Sequence, residues 1–90
     1  MEVILNSAIK AQISTLPASD RARLNARLHK LPPVLRPTRS IIRVAGSNNM
    51  WVLRVTPDLR ALLQVDDDKI TVIALSREQQ IERYQNQVAS

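Results

Sequence analysis

The stretch MWVLRVTPDLRALLQVDDDKITVIAL, Met50 to Leu75, reads as three antiparallel strands joined by two tight turns. Thr56-Pro57-Asp58 supplies a turn-forming Pro and Asp between two apolar runs, so Val55 is expected opposite Leu59. Strand side chains alternate between faces. Counting outward from that pair places Trp51, Leu53 and Val55 on one face with Leu59, Ala61, Leu63 and Val65. None of these residues is polar, which makes this the core face. The opposite face carries Met50, Val52 and Arg54 on one strand and Arg60, Leu62 and Gln64 on the next, with Arg54 directly across from Arg60. Like charges facing each other in a ladder cost about 0.2–1 kcal/mol. The pair either splays into water or waits for an anion, and the second reading makes this face a candidate functional surface.

The second turn runs through Asp66-Asp67-Asp68. A four-residue loop there pairs Val65 with Ile70 and puts Val72 and Ala74 on the core face. Ile73 and Leu75 then join Leu62, Val52 and Met50 around the basic pair, as an apolar patch that calls for a cover. Upstream, Ser40 to Val44 resumes β character, and Gly46-Ser47-Asn48-Asn49 is a turn holding the only glycine of the chain. These strands make a four-stranded meander, and Glu2 to Leu5 is a further β-prone run, at the edge of the sheet or inside it.

Asn6 or Ser7 is placed to cap a first helix whose apolar positions are Ile9, Ile13 and Leu16, and Pro17 ends that helix or opens the next. In the second helix Leu24, Leu28 and Leu31 repeat on one stripe while Arg23, Arg27 and Lys30 repeat on another. Pro32-Pro33 stops it, and Arg36-Pro37-Thr38-Arg39 can be only a stiff basic connection. After Ser76 a third helix is expected, from Arg77 to about Val88, with Ile81, Tyr84 and Val88 on a narrow stripe that can lie over the apolar patch. The expected fold is α+β: an N-terminal helix pair packed on a mainly antiparallel four- or five-stranded sheet, with a short C-terminal helix.

Ninety residues make one domain, spanning 1–90, with a thin core. The chain has no Cys and a single His, which excludes disulfides, thiolate zinc sites and Cys nucleophiles, and gives His29 no second imidazole with which to share a metal. His29 lies one position past Leu28, off the apolar stripe, and reads as an exposed helix residue. Neither a metal nor a cofactor is expected. No segment resembles a signal peptide or approaches the roughly 20 apolar residues of a membrane span, so a cytoplasmic protein is expected. The net charge of +5 points to polyanions, and its distribution says more. No acid occurs between Asp20 and Asp58, an interval that holds Arg21, Arg23, Arg27, Lys30, Arg36, Arg39, Arg43 and Arg54. One by one these residues read as a solvated helix face and loop arginines; as a block they read as a phosphate-binding surface.

The order of elements and the wording of the central strands resemble the RelE/ParE superfamily of bacterial toxins from type II toxin–antitoxin systems. The likeness runs through VILNSAIKAQISTLP and RARLNARLHKL, and is strongest in WVLRVTPDLRALLQVDDDKITVIAL. That last stretch is similar to the family's apolar-Arg strand, tight turn, apolar-Arg step and final strand opened by acidic turn residues. The Arg54 to Arg60 spacing is one residue longer than the commonest form, an addition that falls in the Thr56-Pro57-Asp58 loop.

The resemblance implies a small toxin that causes growth arrest, neutralised by a cognate antitoxin from an adjacent gene that wraps the sheet and the N-terminal helices. It implies one of two targets. RelE-like members act as endoribonucleases (mRNA interferases) that cleave messenger RNA in the ribosomal A site and so inhibit translation; ParE-like members poison DNA gyrase. A further alternative is an inactive basic nucleic-acid-binding or partner-binding domain on the same scaffold. Arg60 matches the strand arginine used at the scissile phosphate by the RNA-cleaving members. Arg77 falls close to their basic residue after the last strand, and Tyr84 matches their C-terminal aromatic. Arg77 also reads as a helix N-terminal charge, and Tyr84 as helix-to-sheet packing. Two departures stand out: Met50 and Val52 occupy positions where several RNA-cleaving members carry lysines, and Leu75-Ser76-Arg77 replaces a Gly-His-Arg. The expected site is therefore Arg60, Arg77 and Tyr84 for catalysis. Arg54, Arg43, Arg39, Arg36, Arg27, Arg23 and Lys30 are expected on RNA phosphates, and Met50, Val52, Leu62 and Ile73 under the antitoxin.

Overall fold

The computed structural model describes residues 2–77. The order of elements is β1 (Glu2–Leu5), α1 (Ser7–Ser14), α2 (Ala18–His29), β2 (Ile41–Arg43), β3 (Met50–Arg54), β4 (Leu59–Asp66) and β5 (Lys69–Arg77). The strands form one five-stranded sheet in the order β1-β5-β4-β3-β2. β1 runs parallel to β5 at one edge, and all other pairs are antiparallel. The α+β architecture and the β2-to-β5 meander are those expected. The C-terminal helix expected beyond Ser76, with Tyr84 on it, lies outside the described residues, except that Arg77 itself closes β5.

Each boundary has a local cause. Asn6 caps α1, its side-chain oxygen accepting the Ile9 N–H at 2.8 Å. Pro17 sits at the N-cap of α2, where its missing N–H costs nothing, and Asp20 places a carboxylate in the positive first turn. The β3–β4 turn is pinned by Thr56, whose hydroxyl accepts the N–H groups of Asp58 and Leu59 at 3.2 and 2.9 Å. Val55 N–H donates to Leu59 C=O at 2.9 Å, so these two residues meet as the sequence predicts. Asp66 pairs with Lys69 around a two-residue tip at which Asp67 takes φ = 52°, a left-handed conformation that Asp accepts more readily than most residues. Gly46, at φ = 79°, does the same for the β2–β3 turn.

Both helices cover one face of the sheet. Ile9 from α1 and Leu24 and Leu28 from α2 close over Leu53, Val55, Leu59, Ala61, Leu63, Ile70 and Val72. Leu24, Leu53, Leu59 and Leu63 are fully buried, and each contributes about 1.5–3 kcal/mol of apolar burial. Trp51 and Val65 pack against this core while remaining partly exposed. Leu35 also enters the core, so the proline-rich connection after α2 is anchored at its middle rather than merely spanning a gap.

β5 departs from the expected alternation. Val65 pairs with Ile70 and Leu63 with Val72, as counted, but the ladder then slips by one residue: Leu62 pairs with Ala74 and Ala61 with Leu75. Ile73 is the extra residue of a β-bulge. Ala74, expected in the core, therefore stands on the outer face opposite Leu62, and Leu75, expected outside, packs against the core.

Candidate functional site

The face turned away from the helices is built from two rows that cross the strands. Arg54 pairs with Arg60, which pairs with Ser76, giving a polar row over β3, β4 and β5. Beside it Ile42, Val52, Leu62 and Ala74 pair in sequence over four strands and form an apolar row. Ile42 is 46% exposed and Ile73, at the bulge, 37%. Met50 pairs with Gln64 and Gln64 with Thr71 in the next row along. Arg54 is exposed, whereas Arg60 is half-buried with its Nε out of reach of solvent.

This arrangement sets two guanidiniums on neighbouring strands, and among the described residues neither the polar row nor the apolar row beside it contains a carboxylate. An anion placed between the guanidiniums removes their mutual repulsion and meets bidentate donors suited to phosphate oxygens. No side chain in these rows exchanges protons near neutral pH: they hold arginines, a serine, amides and aliphatic groups. The face can hold and stabilise negative charge. Among the described residues, these rows hold no side chain suited to act as an acid or a base.

The other expected site residues fall elsewhere. Arg77 pairs with Leu59, on the helix side of the sheet. There its guanidinium meets Asp20 of α2 at 3.1 Å and Asp58 of the β3–β4 turn at 3.2 Å. Arg23, Arg27 and Lys30 are exposed on α2, across the sheet from Arg60, and Arg36 and Arg39 are exposed on the connection that follows. Arg43 pairs with Trp51 and so also belongs to the helix side; its Nε–H donates to Ser47 C=O at 3.1 Å. The basic block thus divides between two sides of the sheet. Tyr84 lies outside the described residues. Met50, Val52, Leu62 and Ile73 are all on or beside the apolar row, as read from the sequence. Ile42 was missed, although the same counting carried one strand further would have found it. Ser76 and Ala74 depend on the bulge, for which the sequence holds no sign. Among the described residues no three His, Asp or Glu side chains converge as a metal site, and no helix is long and apolar enough to cross a membrane.

Solved structures with the same arrangement of strands and helices place this geometry. The toxin–antitoxin complex of RelE with RelB from Methanococcus jannaschii matches with a TM-score of 0.71 over 90% of this chain and 96% of that one, at 16% identity. The chain has the RelE toxin fold. The archaeal RelE–RelB complex from Pyrococcus horikoshii agrees, with a TM-score of 0.66 over 84% of this chain and 92% of that one, at 22% identity. A copper-bound mutant toxin from Helicobacter pylori matches at 0.56 over 90% and 98%, with 17% identity. Comparison with protein-family models finds no match, and comparison with curated protein sequences finds none either. At these identities it is the RelE fold that is shared, and the likeness read from the central strands holds at that level. The Arg54–Arg60 row is a feature of this chain's own register within the RelE fold.

Proposed function

We propose that the chain is the toxin of a toxin–antitoxin pair and acts as a metal-independent endoribonuclease on ribosome-bound messenger RNA. The observation that carries this reading is the direct opposition of Arg54 and Arg60 on the helix-free face. Cleavage through the 2′-hydroxyl needs a cation for the charge that develops on the phosphorane, and a preorganised pair of guanidiniums supplies it where water would have to reorganise. The same reaction needs a base for the hydroxyl and an acid for the leaving oxygen. Arginine, which keeps its proton under physiological conditions, serves as neither. With only charge stabilisation on the described face, the chain depends on its target to align the hydroxyl and to move protons, which favours cleavage on the ribosome over cleavage of free RNA. Tyr84, if it reaches this face, serves better as a stacking platform for a base than as a proton carrier, since an unshifted phenol titrates near about 10.

The apolar row beside the arginines is the proposed seat of the antitoxin. Two of the structures that share the fold were determined as complexes of RelE with RelB, and an acidic antitoxin segment with an apolar face suits Ile42, Val52 and Leu62 beside Arg54. Met50 and Val52, where the resemblance leads one to expect lysines, favour the second reading: a non-enzymatic gyrase inhibitor that needs fewer cations on this face.

The test is a translating extract with a defined message, comparing wild type with Arg60→Ala and mapping new 5′ ends. New ends that depend on ribosomes and are lost with Arg60→Ala are the expected result. Intact message together with inhibited DNA supercoiling by purified gyrase would move the assignment to the second reading. Intact message, active gyrase and harmless expression would leave a binding domain without toxicity.

A further inference from the structure

The register of β5 puts a hydroxyl opposite Arg60, where unbroken alternation would put Leu75. Without the bulge, Ala61 would oppose Ala74 and Leu59 would oppose Ser76, so that Arg77 would project on the Arg60 side. With Ile73 as an extra residue, Ser76 stands opposite Arg60 and Arg77 stands opposite Leu59, where Asp20 and Asp58 meet its guanidinium. We propose that Ser76 is the third member of the phosphate site, donating its hydroxyl hydrogen to an oxygen of the phosphate that Arg54 and Arg60 hold. This rests on the reading of the arginine pair as a phosphate site.

The geometry supports it in two ways. Directly opposed residues on one face have Cβ atoms about 4.5–5.5 Å apart, and strands are spaced about 4.8 Å, so Arg54, Arg60 and Ser76 form a continuous row less than about 12 Å long. A phosphodiester has two non-bridging oxygens with more lone pairs than one guanidinium can fill. The long arginine side chains reach such an oxygen from above and from the side, while the short Ser76 side chain reaches it from the floor of the sheet. The chemistry fits as well. A neutral hydroxyl adds a donor without adding to the repulsion that already opposes Arg54 and Arg60, and its bond to an anionic oxygen is charge-assisted. Ser76 keeps its proton throughout, so the role is one of binding and charge stabilisation.

The test uses the purified full chain and a six-nucleotide single-stranded RNA carrying 2′-fluoro groups, which cannot be cleaved through a 2′-hydroxyl. Dissociation constants are measured at low salt for wild type, Ser76→Ala, Ser76→Thr and Arg60→Ala, with a melting curve for each. Loss of one charge-assisted hydrogen bond predicts binding weakened about 3- to 10-fold by Ser76→Ala. Ser76→Thr, which keeps the hydroxyl and suits a strand, is expected to bind like wild type, and neither substitution is expected to shift the melting curve. Unchanged binding by Ser76→Ala alongside weakened binding by Arg60→Ala would overturn the proposal and leave the arginine site standing. Unchanged binding by both would overturn the arginine site and Ser76 with it. Weakened binding by Ser76→Ala that tracks a lowered melting temperature and is not rescued by Thr would assign Ser76 to the fold instead.

Discussion

Asp20 and Asp58, the two acids that bound the long acid-free interval of the sequence, both meet Arg77 at the end of β5. The two pairs are unequal. The Asp20 side chain is 18% exposed and sits in the first turn of α2, whereas Asp58 is 59% exposed on a turn, where solvent screens the pair to little effect. Arg77→Ala leaves Asp20 half-buried without this partner, at an expected cost of about 1–2 kcal/mol. In a domain of this size that lowers the melting temperature by about 4–8 °C per kcal/mol. Asp58→Asn is expected to change stability by less than about 0.5 kcal/mol. A double-mutant cycle of Arg77→Ala with Asp20→Asn measures the link, and a coupling energy near zero would show that the pair does not hold α2 to the sheet. If Arg77→Ala left stability untouched but removed toxicity, Arg77 would belong to target recognition after all.

At the scale of elements, the β3–β4 hairpin was legible to the residue. Pro57 and Asp58 mark its turn, and the two faces it generates differ so sharply that any slip would drive Arg54 and Arg60 into the core. The helices were legible for the same reason, since Leu24 and Leu28 repeat at a helical period between two proline boundaries. β5 was not, because Ile73, Ala74 and Leu75 are all apolar and no glycine marks the extra residue: either phase fills the core with hydrocarbon, and only Ser76 and Arg77 differ in the outcome. Leu35 was missed because its prolines and arginines speak for a connection and say nothing of where the connection dips inward. The bulge has a direct test. Val72 and Ala74 already oppose Leu63 and Leu62, neighbours in β4, so deleting Ile73 leaves every remaining pair in register. The deletion is expected to cost no more than about 1–3 kcal/mol, the range of an ordinary substitution, with the Leu75 methyl groups giving NOE contacts to the core both before and after it. In an unbulged strand Leu75 would face outward opposite Arg60 and the same deletion would turn it inward, so core contacts of Leu75 that are gained only on deletion would refute the register.

For the molecule as a whole, the sheet acts as a partition between two kinds of basic surface. Arg54 and Arg60 lie beside an apolar row, and Arg23, Arg27 and Lys30 lie on the far side of the helix layer, so no single phosphate can meet both groups. The apolar row has its own consequence: on the proposed reading, Ile42, Val52 and Leu62 leave the isolated chain less soluble than its complex with the antitoxin. Ile42→Thr with Val52→Thr is expected to reduce apolar-dye binding by the isolated chain and to weaken antitoxin capture; unchanged capture would move the antitoxin's seat off this face. The helix stripe makes a different demand. If its cations dock on a nucleic-acid backbone while the arginine row handles one phosphate, they contribute affinity and salt dependence but no chemistry. Replacing Arg23, Arg27 and Lys30 with Gln should then reduce the slope of log affinity for ribosomes against log salt by about 0.7–0.9 for each phosphate no longer neutralised, roughly 2 in all. Cleavage by the same variant under saturating ribosomes should proceed at the wild-type rate, whereas Arg60→Ala should bind ribosomes with a nearly full slope and not cleave. An unchanged slope would mean that the stripe is a solvated helix face, and that the chain's excess positive charge serves solubility or partner choice rather than docking.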